Sequence, residues 1–404
     1  MIIPTQKVTR EQTKLHNGRL VLNTIYEHEP VSRADIARLT GLTATTVSNV
    51  AADLLENVLV EEETLSSSVR GKPPTLLRVV RDAYQLICLD VSRSSFYGAI
   101  INLRGEVLTQ ISIPVLRQTG DAALSLIYDL IDPLISAATS PILGIGIGAP
   151  GIIDPDTGFV HRAVNLGWYD LPLHDWLRER YNLSVHIVNA SQAAVLAEHI
   201  FGYHRNTPDL VVIKVGNDAG AGIILNGNLL LGNGFGAGEI GHIAVVENGE
   251  LCRCGNVGCL ETVVNNQSIV KRAQAIARDN PDSLLNRLVT SPAEIDISVV
   301  RQALIADDKT LLPIITEVGR YLGIAAASIV GVLSPPRIII AGSVTQLGQP
   351  LLDIINQEMD NHSLSKLMSQ TQVEFTSLGV DIVLKGAAAL LLYHELGVGY
   401  GLSF

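Results

Sequence analysis

Long apolar segments are lacking in this 404-residue sequence. The longest apolar run, residues 323–333, is too short to cross a bilayer and ends at Ser334-Pro335-Pro336. Residues 1–14 contain basic and polar side chains but no apolar centre of a secretory signal. We therefore expect a cytoplasmic protein that has no membrane segment.

Basic side chains are fewer than acidic ones, but only in residues 81–404. Lys and Arg number 29 against 40 Asp and Glu, a net charge of −11. Residues 1–80 hold nine basic and nine acidic side chains, so residues 81–404 carry the whole negative charge. This excludes a protein that binds nucleic acid through overall basicity, and it frees the N-terminal part of acidity that would repel phosphate. The hydrophobic content of 47% is enough for two or three domains.

Cysteine is rare as well, and three of the four cysteines lie within eight positions. Cys252, Cys254 and Cys259 follow His242, and together they supply the three sulfurs and one imidazole of a closed tetrahedral zinc site. Because four protein ligands leave no position for water, the metal is expected to be structural. Buried free thiols or a disulfide are the alternatives, although cytosol keeps thiols reduced. Cys88 lies alone in an apolar run and is expected to be a buried strand residue.

Two carboxylates bracket this cluster. Glu239 precedes His242 by three residues and Glu261 follows Cys259 by two, so folding around zinc would bring both carboxylates near one point. Rigidly held acceptors of this kind suit a neutral polyhydroxylated ligand such as a sugar. The alternative is that Glu239 caps a turn and Glu261 begins a helix, and spacing alone does not decide between the two.

The first 80 residues have the pattern of a winged helix-turn-helix. Helices are predicted around 17–26, from a cap at Ser32, and from a cap at Thr43, and two strands at 59–63 and 76–80 enclose a basic loop. A polar face on the third helix and the tip of the loop are expected to contact DNA. The alternatives are a solvated helix face and a winged helix that docks a protein. The residues expected to contact DNA are Thr43, Thr45, Thr46, Ser48, Asn49, Arg70 and Lys72.

From residue 84 onward, strands alternate with helices. Three apolar strands at 84–91, 95–103 and 106–115 precede a helix at 121–138 and a buried strand that runs into a turn at Gly151. A second set follows, with strands at 185–189, 210–215 and 221–225, a helix at 192–201, helices from 260 to 333, a final strand at 337–341 and a helix at 383–396. The repetition predicts a two-lobed α/β body with a cleft between its lobes.

The motif Gly238-Glu239-Ile240-Gly241-His242, followed by Cys252, Cys254, Cys259 and Glu261, resembles the signature of the ROK family of sugar-responsive repressors and sugar kinases. The resemblance extends to 146–151 and 165–168, and to the winged helix of the family's repressors. It implies an actin-like, sugar-kinase body over residues 81–404, with a small lobe at about 81–190 plus the C-terminal helix and a large lobe at about 191–382. The residues implied to contact sugar are Asn189, Glu239, His242 and Glu261, with His242 also binding zinc.

The sequence departs from the family's kinases at two places. Where those enzymes have Asn-Asp, the aspartate being the general base, this chain has Asn189-Ala190, and alanine accepts no proton. Their Asp-x-Gly-Gly-Thr phosphate loop corresponds to Asp90-Val91-Ser92-Arg93-Ser94, which lacks both glycines. A further glycine-rich turn at 216–222 is interpreted as a hairpin connection. The protein is therefore expected not to be an enzyme.

The sequence favours a repressor of carbohydrate genes that acts as a homodimer or homotetramer. It would bind operator DNA and leave it when a sugar inducer binds, xylose being one candidate. Three alternatives stay open: an ATP-dependent sugar kinase, a repressor controlled by a transporter protein, and an activator. The sequence identifies neither the sugar nor the operator.

Overall fold

The N-terminal unit contains three helices and a small antiparallel sheet. The computed structural model describes residues 9–64, 75–92, 94–116, 118–361 and 370–399. The helices are α1 Arg10–His28, α2 Arg33–Thr40 and α3 Ala44–Glu56, and the strands are β1 Val31–Ser32, β2 Val60–Thr64 and β3 Thr75–Val79. In the sheet, β3 lies between β1 and β2.

Side-chain caps fix the starts of all three helices. Thr9 and Gln12 form a reciprocal capping box, so α1 begins seven residues before the predicted helix at 17–26. Ser32 accepts a hydrogen bond from the Asp35 amide at 3.1 Å, and Thr43 accepts one from the Thr46 amide at 3.2 Å. The two caps predicted at Ser32 and Thr43 are confirmed. The start of α1 was placed too late because its first turns are polar and carry no apolar periodicity.

The body contains the following strands: β4 Gln85–Asp90, β5 Ser95–Asn102, β6 Val107–Pro114, β7 Ile142–Ala149, β8 Ile152–Asp154, β9 Phe159–Ala163, β10 Trp168–Leu171, β11 Val185–Asn189, β12 Leu210–Val215, β13 Ala219–Leu225, β14 Asn228–Leu229, β15 Arg337–Ala341 and β16 Gln372–Phe375. Its helices are α4 Asp121–Ala137, α5 Leu173–Tyr181, α6 Ala190–Phe201, α7 Leu260–Val264, α8 Asn266–Asp279, α9 Leu285–Leu288, α10 Ile297–Ile305, α11 Leu312–Leu333, α12 Gln349–Asp360 and α13 Ile382–Leu391, which continues into a π-helical turn over Leu392–Leu396.

Two five-stranded sheets form the body, and they have the same strand order. The first is β11-β7-β4-β5-β6 and the second is β14-β13-β12-β15-β16, read in the opposite direction. In each sheet an antiparallel three-strand meander is extended by two parallel strands. This repetition confirms that the strands form two sets, but β11, which the sequence assigned to the second set, pairs with β7 in the first sheet. The prediction that β15 is the final strand was wrong, because β16 follows it and pairs with it in parallel.

Helices α6 and α13 pack against each other between the two sheets, and their small residues allow close contact. A Cβ added to Gly386 on α13 would lie 2.0 Å from the Ala193 carbonyl oxygen of α6, so glycine is required there. The two helices join one hydrophobic core with the N-terminal unit, while each lobe has a further core on its outer side. Because α6 begins directly after β11, this packing fixes the position of Asn189 at the junction.

A third sheet, β10-β9-β8, was not predicted. It follows β7 and lies at the carboxyl edge of the first large sheet, where Gly151, with φ +95°, abuts the Arg162 carbonyl. Its strands are three to five residues long and partly exposed, which leaves no clear alternating pattern in the sequence.

One helical segment, Lys309–Leu333, is long and apolar enough to cross a membrane by length and composition. The helix begins well before the apolar run at 323–333. Its first turns mix buried positions with half-buried and exposed ones, so they do not form part of a continuous apolar run. Of its most apolar window, 56% is buried inside the protein. Leu322, Ala326 and Val330 are fully buried in the core of the second lobe, as in a core helix.

Hydrogen bonds fasten α1 to the body at two places. The Tyr26 hydroxyl donates to the Leu103 carbonyl at 2.7 Å, and Arg104 donates to the Tyr26 carbonyl at 2.9 Å while its guanidinium lies over the Tyr26 ring. At the other place Arg19 donates to the His394 carbonyl at 2.7 Å. Burial raises the pKa of Tyr26 to about 12, which keeps its hydroxyl a donor. The N-terminal unit is therefore held by buried polar contacts as well as by the shared core.

The Tyr26 contact can be tested by removing its hydroxyl. Tyr26→Phe leaves the buried Leu103 carbonyl without this donor, and we expect the free energy of unfolding to fall by about 1–2 kcal/mol. Urea denaturation followed by circular dichroism measures the change. Tyr169→Phe is the matched control, because Tyr169 is exposed on β10. Equal stability of the two variants would contradict the assigned role of the hydroxyl.

Candidate metal centre and ligand cavity

The structure brings His242, Cys252, Cys254 and Cys259 together so that their ligand atoms all lie within 4.8 Å of one another. The Cys254 and Cys259 sulfurs are 3.7 Å apart, and the Cys252 sulfur lies 3.6 Å from His242 Nδ1. Around a tetrahedral zinc ion, two sulfurs would be about 3.8 Å apart and a sulfur and a nitrogen about 3.6 Å. The four residues therefore fit one metal ion.

A disulfide does not fit this geometry, and neutral thiols alone explain it poorly. All four cysteines of the chain are free, and 3.7 Å is far beyond a sulfur–sulfur bond. Burial, reinforced by the neighbouring thiols, raises the pKa of Cys259 to about 12. A cation at the centre would offset the cost of ionising these thiols, since metal ligands must be deprotonated.

Backbone pairing and glycines shape the loop that carries the cysteines. The Cys252 amide donates to the Asn256 carbonyl at 2.8 Å, and Ala244 pairs with Cys259 in an isolated bridge. Gly258 has φ +72°, and a Cβ there would lie 1.8 Å from the Val246 carbonyl oxygen. Gly255 has φ +99°. Both glycines therefore provide the backbone freedom that lets the closely spaced cysteines converge.

The segment 238–242 presses its backbone against the start of β13. A Cβ on Gly238, whose φ is +88°, would lie 1.9 Å from the Ala221 carbonyl oxygen, and one on Gly241 would lie 2.1 Å from the Ala219 carbonyl oxygen. This contact explains the two glycines of the motif. It directs Glu239 and His242 into a cavity, because their backbone has no room to move away from the strand.

The cavity has a volume of about 240 Å³ and lies between elements of the two lobes. One side comes from the turns after β7 and β9 and from the start of α6, and the other from the β12–β13 turn and the metal loop. The predicted ligand residues Asn189, Glu239, His242 and Glu261 all line it. His242 faces both sites, since its Nδ1 lies with the cysteines and its Nε2 is 3.6 Å from Glu239 Oε2.

The two glutamates are in a poorly hydrated setting. Burial raises the pKa of Glu239 and that of Glu261, and the nearby Asp218 carboxylate raises both further. Glu261 Oε2 accepts a hydrogen bond from the Ala219 amide at 3.2 Å, which lowers its pKa and holds the side chain in place. Glu261 is also the second residue of α7, so the alternative interpretation, that it begins a helix, is correct alongside the cavity position.

Asn189 and Ala190 lie where β11 passes into α6. The Asn189 side chain caps α6 by accepting from the Ser191 amide at 2.8 Å, and it donates to the Gly151 carbonyl at 2.7 Å. Part of its hydrogen-bonding capacity is therefore used within the protein. Ala190 is buried and offers no acidic or basic group at the head of the helix. The helix predicted from 192 begins two residues earlier because Asn189 and Gln192 form a capping box.

A second cavity, also of about 240 Å³, contains the altered phosphate-loop segment. Ser92 and Ser94 line it, and the Ser92 amide and hydroxyl both donate to Asp90 Oδ1 at 3.0 and 2.6 Å. Arg93 lies outside the described residues. The turn at 216–218 joins antiparallel strands β12 and β13, which confirms a hairpin connection. Within this hairpin, buried Lys214 pairs with Asp218, and Asp218 lines both cavities.

Several cavity residues escaped the sequence analysis. Asn165 lies within a motif that was noted for its family resemblance, and Arg253 lies between two cysteine ligands, so position in the sequence could have suggested both. Asp218 was assigned only to a turn. Arg162 gave no signal, because it comes from the short strand β9 that the sequence did not predict.

The residues predicted to contact DNA fall into two groups. Thr43, Thr45, Ser48 and Asn49 are exposed at the start and along the outer face of α3. Thr46 is half-buried, and its hydroxyl is 2.9 Å from that of Thr43, so it supports the cap. Arg70 and Lys72 lie outside the described residues.

An α/β body, a duplicated sheet and a glycine-framed cluster of one histidine and three cysteines together define a protein class. The chain belongs to the ROK family, because the sequence model of that family matches residues 86–394. This confirms the family resemblance and the α/β sugar-kinase type of body.

Both repressors and kinases are similar to the chain. It is 30% identical to a xylose repressor of Caldicellulosiruptor bescii over 386 residues, which cover 94% of this chain and 96% of that protein. It is 34% identical to a glucokinase of Halalkalibacterium halodurans over 312 residues, which cover 76% of this chain and 94% of the kinase. The crystal structure of a ROK family transcriptional regulator, a homologue of Escherichia coli Mlc, superposes with a TM-score of 0.79 at 27% identity, covering 96% of this chain and 97% of that one.

Proposed function

We propose that this protein is a sugar-responsive transcriptional repressor of carbohydrate genes. The observation that carries the proposal is the combination of a three-helix N-terminal unit with a body that has alanine at the family's general-base position. The match to the xylose repressor is 74 residues longer than the match to the glucokinase, at 386 against 312 residues, and this difference is close to the length of the N-terminal unit.

The N-terminal unit is assigned as a winged helix-turn-helix spanning residues 1–80. α2 and α3 are joined by a tight turn at Gly41, which has φ +70°, and α3 presents a face of short polar side chains. Thr45, Ser48 and Asn49 are placed to approach base edges, with Thr43 at the helix start suited to a phosphate. Arg70 and Lys72, which lie between β2 and β3 in the sequence, are assigned as further DNA contacts. Operator DNA is the partner, which places the protein in the cytoplasm.

The cavity between the lobes is assigned to the sugar. Glu239 and Glu261, on the large lobe, accept hydrogen bonds from the sugar hydroxyls, and His242 donates one through Nε2. Asn189, on the small lobe, contributes the hydrogen-bonding capacity that its internal contacts leave unused. The metal is assigned as zinc, because three thiolates and one imidazole with no open position suit that ion. Its role is to hold His242 and the loop preceding Glu261 in place. Which sugar binds depends on the cavity walls, and xylose is the candidate suggested by a relative's name.

Phosphoryl transfer is not part of this proposal. No acid or base occupies position 190, and Ser92 closes the first loop onto Asp90 with two hydrogen bonds. The Lys214–Asp218 ion pair fills the second turn with side chains. The ROK family includes kinases, but in this chain the side chains within each of these two turns bind each other.

The response to sugar is assigned to a change in the angle between the lobes. A sugar that contacts both sides of the cavity favours the closed arrangement, by no more than its difference in affinity for the two arrangements. In a homodimer or homotetramer, this changes the relative placement of two winged helices. A transporter protein could supply the signal instead, through the same lobes.

Binding of the full-length protein to its own upstream DNA tests the proposal. At one fixed salt concentration, we expect a dissociation constant of about 10⁻⁸ M or below for specific DNA, weakened at least tenfold by one sugar in a panel of free sugars. Asn49→Ala should weaken specific binding by about 1–3 kcal/mol, whereas Asn361→Ala, at the end of α12, serves as the matched control. No preference for upstream DNA would refute the repressor assignment. Specific binding that no sugar changes would refute only the assignment of free sugar as the signal.

A further inference from the structure

The three cysteines of the metal cluster differ in their access to solvent. Cys252 and Cys259 are buried, whereas Cys254 is exposed. Of these three cysteines, all within the described residues, only Cys254 also lines the ligand cavity. Because exposure governs how readily a thiolate meets a small oxidant, Cys254 is the sulfur of the cluster that a peroxide in solution reaches first.

A partner sulfur for Cys254 lies close by. The Cys254 and Cys259 sulfurs are 3.7 Å apart, so they must approach each other by about 1.7 Å to reach the bond length of a disulfide. Cys259 is fixed in place, because it pairs with Ala244 and directly precedes α7. Cys254 has room to move instead. It lies in an exposed turn, and a Cβ at the adjacent Gly255 would meet no heavy atom within 4 Å.

We propose that Cys254 and Cys259 form a reversible disulfide in the presence of hydrogen peroxide, and that this bond releases the metal. The Cys254 thiolate attacks one peroxide oxygen, the O–O bond breaks, and the hydroxide that leaves is protonated to water. The Cys259 thiolate then attacks the sulfur of this sulfenic acid, forms the S–S bond and expels a second hydroxide, which is also protonated. Two thiolates, one peroxide and two protons thus give one disulfide and two waters.

The disulfide is incompatible with the metal centre. It removes two of the four ligands and leaves His242 and Cys252, which are too few for a closed tetrahedral site. A thiol reductant restores both thiolates and with them the metal site. The consequence for gene control rests on the proposed function: without the metal, His242 and the segment that leads to Glu261 lose their anchor. The oxidised repressor would then remain on DNA when sugar is present.

Peroxide titration of the full-length, zinc-loaded protein tests the inference without DNA or sugar. A chromogenic zinc indicator measures the released metal, and differential alkylation followed by mass spectrometry identifies the oxidised cysteines. We expect release of about one zinc ion per chain and a Cys254–Cys259 disulfide as the main product. Cys88 is the internal control, since it is fully buried and should be oxidised at least tenfold less. Dithiothreitol and zinc should restore the metal content.

Two ligand variants separate the disulfide from other damage at the cluster. Cys254→Asp and Cys252→Asp each keep four ligands, since aspartate also binds zinc, but only Cys252→Asp keeps the reactive pair. Peroxide should still link Cys254 to Cys259 in Cys252→Asp. Cys254→Asp should form no disulfide and should release metal at least tenfold more slowly. The linkage is read from mass spectra, so this comparison holds even if a variant binds zinc weakly.

Three results would overturn the inference and leave the proposed function standing. They are retention of zinc by the oxidised protein, a different cysteine pair or a sulfinic acid as the main product, and equal release of metal from the two variants. Reduced protein that takes up no zinc would overturn both the inference and the assignment of the metal.

Discussion

Removal of the metal is expected to abolish sugar binding and to lower the melting temperature by about 10 °C, since a ligand bound at about 1,000 times its dissociation constant adds roughly 4 kcal/mol. The physical reason is that the proposed zinc ion would hold together four side chains around a loop with little regular structure. Without it, His242 and the segment leading to Glu261 lose their common anchor. After dialysis against a chelator, metal analysis verifies the removal, and calorimetric titration with the inducer and a thermal scan measure the two effects. Zinc should restore them.

A pair of cysteine variants separates loss of metal from loss of a buried thiol. Cys259 and Cys88 are both fully buried, but only Cys259 is in the cluster. Cys259→Ser should reduce bound metal and sugar affinity at least tenfold each. Cys88→Ser should lower stability through its buried hydroxyl while metal content stays at one ion per chain. Normal sugar binding by metal-free protein would overturn the assigned role of the metal.

Gly238→Ala is expected to be strongly disruptive to the cavity. The added Cβ would lie 1.9 Å from the Ala221 carbonyl oxygen, at a residue with φ +88°. Backbone strain and the displacement of β13 should together lower the free energy of unfolding by about 3–5 kcal/mol. Because Glu239 and His242 follow directly, sugar affinity and metal retention should both fall. Chemical denaturation and metal analysis measure the two effects.

Gly236→Ala is the matched control for this substitution. A Cβ at Gly236 meets no heavy atom within 4 Å, and its backbone φ is not in the left-handed region. Its effect on stability should stay within about 0.5 kcal/mol. If Gly238→Ala behaved like Gly236→Ala, the close contact between the motif and β13 would not be what positions Glu239.

The sequence was most informative where local chemistry fixes the backbone. Caps at Ser32 and Thr43 were correctly placed because a side-chain oxygen before an apolar run has a specific structural effect. Strands β11 and β15 were predicted with their observed bounds because each has adjacent apolar residues at its centre, with polar residues or proline close by. Strand β16 was missed because its short, partly exposed segment depends on β15, which lies far away in sequence. The third sheet was missed because its strands are three to five residues long and partly exposed, so they show no clear alternation.

At the metal cluster and the ligand cavity, too, the sequence was informative only where the residues lie close together in the chain. Three cysteines and a histidine at metal-binding spacing identified their own cluster, and Glu239 and Glu261 were found because they flank it. Asp218 and Arg162 could not be found in this way. Each reaches the cavity through tertiary structure, by a hairpin in one case and by a small sheet in the other, and no periodicity indicates where those elements meet.

The attachment of α1 by Tyr26 and Arg19 has a mechanical consequence. Its hydrogen bonds go to the β5–β6 turn and to the C-terminal segment, whereas the metal loop and Glu239 follow the second sheet. In the proposed change of lobe angle, these hydrogen bonds would make the N-terminal unit move with the first sheet. Paired half-sites on DNA are spaced by whole helical turns of about 34 Å, so two linked DNA-binding units must be held at a matching distance. In the proposed dimer, a small rotation between the lobes would therefore change the distance between the two DNA-binding units relative to this spacing.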